Sequence, residues 1–465
     1  MLAVMIHVLR LLNMVFLLAF AAALMPPGLA RAQSDPNAII IRDVEIEETL
    51  KEWANPLLKA AGLNPDSVKI IIVQSPQINA FVAGGQNIFI YTGLIMKTDK
   101  PEEILGVMAH EMGHIAGGHL VATRAAMERA SYESILGGII GLGAAIASGK
   151  GGAAVAIISG TGDIAKRRFL SHSRVQESSA DQAGLKFLEG AQITPRGLVS
   201  FFEKLSAEEL LPETQQSEYM RTHPLTSNRI DAVANKAQQS PYYSAPVPAA
   251  WNDQYARMKA KLLGFVTPEQ VAWTYSDQDK SLPARYAQAI AAYRMNDVGK
   301  ALQEIDALIA AEPDNPYFHE LKGQMLVDFG RVKDGVAPYR KAIALKPDAG
   351  LIRISLANAV MEADPSPAGQ QEAIQELERS LKDEPRSPRT RRLLATAYGR
   401  LNEDIPARLN LAEEAALQGR LPDAKLHAEY VVNKAKPGTA AYLQAKDILA
   451  FVESVPGADK DSDDH

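Results

Sequence analysis

Apolar positions follow three different rhythms along this chain. The first is an unbroken run, LLNMVFLLAFAAALM from Leu11 to Met25, preceded by His7 and Arg10 and closed by Pro26, Pro27 and Gly28. It is shorter than the ~20 residues that span a bilayer. Ala30-Arg31-Ala32 behind it has the small-x-small form of a cleavage site. Residues 1–32 therefore read as a secretory signal peptide, and the expected location of the mature chain is the periplasm.

The second rhythm, from Ser34 to about Gly264, mixes short β-branched runs with helical periods. Lys69 to Gln74 (KIIIVQ) predicts a strand. INAFVA (Ile78 to Ala83), Gly84-Gly85 and QNIFIY (Gln86 to Tyr91) predict a β-hairpin that Thr92-Gly93 ends. A helix then opens with Asp99 as N-cap, Pro101 in its first turn and Glu102 in the place of a capping box. At about 100° per residue, Ile104, Leu105, Met108, Met112 and Ile115 share one arc and His110 and His114 lie opposite it. This helix should pack one face and present two histidines from the other. Ile135 to Ser159 is apolar but rich in Gly and Ala around Lys150, which suits a buried small-residue hairpin or mobile loop, or else a surface in peripheral contact with a membrane or with an unfolded client.

The third rhythm begins after a Pro- and Ser-rich stretch, SPYYSAPVPAAW (Ser240 to Trp251), that reads as a linker. From Leu282 the chain is Ala/Leu-rich and helical, with Pro313, Pro347 and Pro385 at intervals of 34 (347−313) and 38 (385−347). A period near 34 fits tetratricopeptide repeats. Pro316 to Pro347 is the clearest repeat, with Gly323, Ala337, Tyr339 and Ala342 at helix-contact positions. Stacked repeats form a solenoid with a concave binding face. The expected fold is α+β and mainly helical. A domain with a small sheet (33–265) and a linker (266–281) precede an all-α repeat solenoid (282–455) and an acidic tail (456–465).

Composition narrows the chemistry. The 465 residues carry a formal net charge of −6, which gives no reason for a nucleic-acid partner, and no cysteine, so a metal site must be built from His, Asp and Glu. MAHEMGHIAGGHL, Met108 to Leu120, holds such a site in outline. Residues four apart on a helix are neighbours, so His110 and His114 can share one zinc while Glu111 faces its water. A catalytic zinc usually takes a third protein ligand. His119 is one candidate, but it sits one residue short of the long H-E-x-x-H-x-x-G-x-x-H register and reaches the metal only if the helix ends at Gly117-Gly118. The other candidate is SRVQESSADQAG, Ser173 to Gly184. Its Glu177 and Asp181 are four apart, one suited to the metal and the other to the outer nitrogen of a ligating histidine.

HEMGH, preceded by INAFVAGGQNIFIYTGLI and followed by SRVQESSADQAG and THPLTSNRIDAV, resembles the zinc peptidase family that contains the CAAX prenyl endopeptidases, the HtpX-like membrane proteases and the Oma-type proteases. The resemblance implies a zincin-like domain and one Zn2+ per chain held by His110, His114 and Glu177, with Glu111 as catalytic base and Asp181 behind a ligand. It implies that His223 of the His-Pro element can close on the zinc as an inhibitory fourth ligand, that Arg229 lies near the site, and that the segment from Asn79 to Tyr91 borders the cleft. The expected activity is cleavage of unfolded or misassembled cell-envelope proteins, with outer-membrane β-barrel precursors and their assembly machinery engaged through the repeats. Clients would pair by β-augmentation along an edge strand at Ile88 to Tyr91. The alternative is a non-proteolytic chaperone or scaffold.

Overall fold

A computed structural model describes residues 39–121, 174–276 and 278–455. The expected signal peptide, the Ile135 to Ser159 segment and the acidic tail lie outside the described residues. No helix among the described residues is long and apolar enough to cross a membrane.

The second rhythm folds around a four-stranded sheet made of β1 (Ile39–Ile41), β2 (Lys69–Gln74), β3 (Ala80–Ala83) and β4 (Asn87–Tyr91), in the order β1-β2-β4-β3. β3 and β4 form the predicted antiparallel hairpin, with Phe81 opposite Phe89. β4 also pairs in parallel with β2, placing Ile72 opposite Ile90. β4 is therefore an interior strand, and the edge expected at Ile88 to Tyr91 is instead β3. The reason is long-range: β2 claims the outer side of β4, and nothing in the hairpin's own sequence announces that partner.

Among the described residues, the helices packed with this sheet around one core include α1 (Val44–Ala60), α2 (Thr92–Lys97), α3 (Pro101–Ala116), α4 (Arg174–Gly190), α5 (Arg196–Leu205) and, closing it, α8 (Ala249–Val266). The short α6 (Glu218–Thr222) and α7 (Ser227–Gln238) lie between the last two. Trp53, Leu50, Leu57, Leu105, Met108, Leu198 and Phe201 are fully enclosed, each large aliphatic contributing about 1.5–3 kcal/mol by leaving water. Two local expectations shift. The N-cap of α3 is Lys100, not Asp99; the Asp99 backbone N–H donates to Glu103 Oε2, and the Asp99 carboxylate pairs with Lys204. And α3 is buried all round, its histidine face included, because α4 covers it.

The stretch read as a linker is packed. Tyr243 and Val247 lie on the core, and Trp251 meets Trp53 with ring centroids 6.0 Å apart. Its Pro/Ser composition reports irregular backbone, not exposure. Helix pairs follow: after the short α9 (Val271–Thr274) come α10 (Leu282–Arg294), α11 (Val298–Ala311), α12 (Pro316–Asp328), α13 (Val332–Leu345), α14 (Gly350–Ala363), α15 (Pro367–Ser380), α16 (Pro388–Arg400), α17 (Asp404–Leu417), α18 (Leu421–Lys434) and α19 (Ala440–Ser454). In the clearest repeat Tyr339 packs onto Gly323, where a Cβ would lie 2.8 Å from its ring, and Ala342 is enclosed. Ala337, expected at a contact, is exposed; Gly335 and Val336 take the buried positions.

Candidate metal centre

The site begins where α3 crosses α4. Small residues set the distance between them: a Cβ on Gly113 would lie 2.6 Å from the Ala180 carbonyl oxygen, and one on Gly184 would lie 3.1 Å from the His110 backbone nitrogen. This close approach brings Glu177, near the start of α4, onto the histidine face of α3.

Four side chains turn one donor atom each toward a common point. Nε2 of His110 lies 3.1 Å from Nε2 of His114, 3.4 Å from Nδ1 of His223 and 3.5 Å from Glu177 Oε2. Glu177 Oε1 lies 3.3 Å from His114 Nε2 and 3.1 Å from His223 Nδ1. Donors set tetrahedrally at zinc distances are separated by about 3.3–3.4 Å, so these spacings fit one such ion. All four residues are buried, and their donor atoms lie within 4.8 Å of one another. The donor set is His and carboxylate, as a chain without cysteine requires.

The groups behind the donors orient them. Nδ1 of His110 faces Asp181 Oδ1 at 2.9 Å, which keeps the proton on that side and the lone pair on Nε2. Nε2 of His223 meets the carbonyl oxygen of Ala80 at 3.2 Å, so its Nδ1 faces the cluster. Arg229 ties both carboxylates together: Nη2 donates to Asp181 Oδ1 at 2.8 Å, and Nη1 lies 2.7 Å from Glu177 Oε2 and donates to the Pro224 carbonyl. Its guanidinium lies over Phe202, which also meets the edge of His110. Glu111 is fully enclosed, and neither of its carboxylate oxygens has a hydrogen-bond partner; His223 Nε2 approaches one of them at 3.6 Å.

The charges follow from these contacts. Burial opposes ionisation of Glu177, but His223, His110 and His114 hold its carboxyl well below the usual range. Burial also opposes ionisation of Asp181, and Arg229 with His110 overrides it. Desolvation disfavours the charged His110 imidazole, yet Asp181 and Glu177 push its pKa up to about 9. Glu111 is raised by burial, with His223 and His110 only partly offsetting it. A carboxylate held high and with no hydrogen bond to it is suited to take a proton.

His110, His114, Glu111, Glu177, Asp181, His223 and Arg229 are thus gathered into one site. Asn79 lies beside it and not in it: its Nδ2 donates to Glu218 and its Oδ1 accepts from Thr222, tying the entry of β3 to α6. His119 is not among the converging donors; its Nδ1 lies 2.9 Å from the outer nitrogen, Nδ1, of His114. Sequence reasoning missed Phe202 and Tyr219. Tyr219 lies 4.8 Å from His223 ring to ring, and its backbone N–H donates to the Ile78 carbonyl. Phe202 sits in an apolar run that reads only as core, and a lone Tyr219 carries no spacing that points to the site.

Comparison with known proteins gives a match to the family model described as Peptidase family M48 over residues 42–237, and to a tetratricopeptide repeat model over 286–350. The β-barrel assembly-enhancing protease of Yersinia pestis is 28% identical over 84% of this chain and 80% of its own length. That of Escherichia coli (strain K12) is 25% identical over 83% and 79%. The metalloprotease LoiP of Escherichia coli (strain K12) is 30% identical over 41% of this chain and 71% of its own.

Proposed function

From the premise that this chain belongs to peptidase family M48 and is a metalloendopeptidase, we propose that it is an exported, periplasmic zinc enzyme that degrades misfolded or misassembled cell-envelope proteins. The names of its relatives point to β-barrel precursors as clients, and such barrels belong to the outer membrane. The expected leader at residues 1–32 agrees with that location. The observation that carries the reading is the buried, converging set of His110, His114, Glu177 and His223, with the carboxylate of Glu111, which has no hydrogen-bond partner, beside it.

Bound there, zinc would polarise the scissile carbonyl and acidify a water. Glu111 takes the proton from the attacking water and passes it to the departing amine. Asp181 and Arg229 hold the ligands in orientation. His223 has two jobs in the closed state. It fills the fourth donor position, and its Nε2 caps the Ala80 carbonyl of the edge strand. Tyr219 N–H caps the Ile78 carbonyl two residues earlier. Alternate carbonyls along one strand face the same edge, the side to which an extended client would add. A client strand must therefore displace the Tyr219 to His223 segment before it can pair with β3. In the closed state the repeats remain available to hold clients or the assembly machinery, which supports a chaperone role alongside proteolysis; an envelope defect rescued by the Glu111→Gln protein would establish it.

Glu111→Gln keeps the donors and removes the base. The expected result is a normal zinc content with cleavage of an unstructured substrate lowered at least ~100-fold. Unchanged turnover would sink the assignment.

A further inference from the structure

The last histidine of MAHEMGHIAGGHL is the one the donor cluster leaves out, and the chain is nonetheless shaped to hold it close. α3 ends where the Gly117 N–H donates to the Gly113 carbonyl, and Gly118 then takes φ +63°, a left-handed conformation that turns the chain back. His119 returns over the end of the helix. Its ring stands edge-on to that of His114, centroids 4.9 Å apart at 75°, with Nδ1 2.9 Å from Nδ1, and only 7% of the residue is exposed. Gly117 clears the space for it: a Cβ there would lie 2.5 Å from His119 Nε2 and 2.9 Å from its Cε1.

We propose that His119 is a positioning residue for His114. The inference rests on the reading of His110, His114 and Glu177 as metal ligands. Two imidazole nitrogens 2.9 Å apart share one hydrogen. When His114 Nδ1–H donates to the His119 Nδ1 lone pair, Nε2 of His114 keeps its own lone pair for the metal, and the ring cannot rotate without breaking that bond. The outer nitrogens of the two other histidines meet oxygen acceptors, the Asp181 carboxylate and the Ala80 carbonyl. His119 supplies the equivalent acceptor to His114 without adding a negative charge beside Glu177. The register that fails for a three-histidine metal site is thus the register that sets a third histidine behind the second one.

The test uses the full chain and compares His119→Ala, His119→Asn, Gly117→Ala and Glu177→Ala for metal content, for zinc affinity by chelator competition and for the visible absorption of the Co2+-substituted protein. Losses of an outer-shell partner cost about 10–100-fold in metal affinity. His119→Ala should still bind one metal per chain, with affinity lowered by that factor and shifted Co2+ bands. His119→Asn, whose side-chain oxygen can accept in place of Nδ1, should recover most of the affinity. Gly117→Ala, which keeps the imidazole but pushes it aside, should weaken binding in the same direction even if His119→Ala fails to fold. Wild-type affinity and unshifted bands in His119→Ala, or in a folded Gly117→Ala, overturn the inference. Glu177→Ala separates the two levels: loss of its metal leaves the ligand reading standing whatever His119 does, and retained metal overturns the ligand reading itself.

Discussion

Arg229 is the residue on which the charge balance of the centre turns. One guanidinium serves Asp181 and Glu177 at once and is itself largely buried. Its removal would leave two enclosed carboxylates short of their compensation, the kind of loss that costs about 3–5 kcal/mol. Arg229→Met should therefore lower the free energy of unfolding by that order in a denaturant titration, and a change under ~1 kcal/mol would contradict the arrangement. Glu177→Ala should do something different, abolishing stoichiometric zinc in a protein that still folds, read as metal per chain. At this scale the spacing rules carried far. A separation of four on a helix was enough to foresee that His110 with His114, and Glu177 with Asp181, share faces, and the structure does bring the two pairs together. His223 and Arg229 came only from the resemblance, because a lone histidine before a proline has no period to betray it. Phe202 and Tyr219 were invisible, since an aromatic that backs a site and one that fills a core are written alike.

Elements were legible where their contacts are local and opaque where they are not. β2 and the β3–β4 hairpin follow from alternation and a Gly-Gly turn, and their bounds match within two residues. The parallel pairing that buries β4 and leaves β3 at the edge depends on a strand earlier in the chain. The crossing of α3 and α4 was equally hidden, though Gly113 and Gly184 were its signal. An alanine at 113 must push the helices apart, because its Cβ meets backbone and not a yielding side chain. Gly113→Ala should weaken zinc binding by ~10-fold or more without touching a donor atom, as chelator competition would register; an unchanged affinity would mean that α4 tolerates the shift. His223, proposed to close the site, directly follows α6 as its C-cap. If His223 closes the site, His223→Ala should raise cleavage of an unstructured substrate several-fold. A fall in cleavage would instead assign His223 to the chemistry.

For the whole molecule, the question is what joins the peptidase body to the repeats; Ala260 and Leu263 of α8 pack on Ala287 and Ala291 of α10, and polar groups at and just before the start of α1, along it and on α8 add to that contact. Arg42 pairs with Glu384, Glu48 with both Tyr317 and Lys346, and Arg257 with Glu312. Lys261 of α8, enclosed, bonds Asp43 and Glu45 at the start of α1, and Tyr286 of α10 donates to the same Glu45. Composition could not reveal this, because the acidic turn VEIEE reads as an ordinary helix start until the solenoid is seen against it. Glu320 of α12 stands next to the cluster. Desolvation raises its carboxyl, Lys261 pulls it back, and Asp43 and Glu45 push it up again, to about 7. A carboxyl whose folded pKa lies above its ordinary 4.5 stabilises the fold fully below that ordinary value, and the contribution is lost as the pH rises through 7. Glu320→Gln removes the penalty of ionising it. The variant should unfold at a higher temperature than the parent at pH 8, by roughly 2–4 °C for each kcal/mol relieved, and the two should converge as the pH falls toward 4.5. Thermal unfolding of the full chain at both ends of that window decides it. Parallel curves would mean that Glu320 reaches water on its own, and that the junction between peptidase and repeats carries no pH dependence from this group.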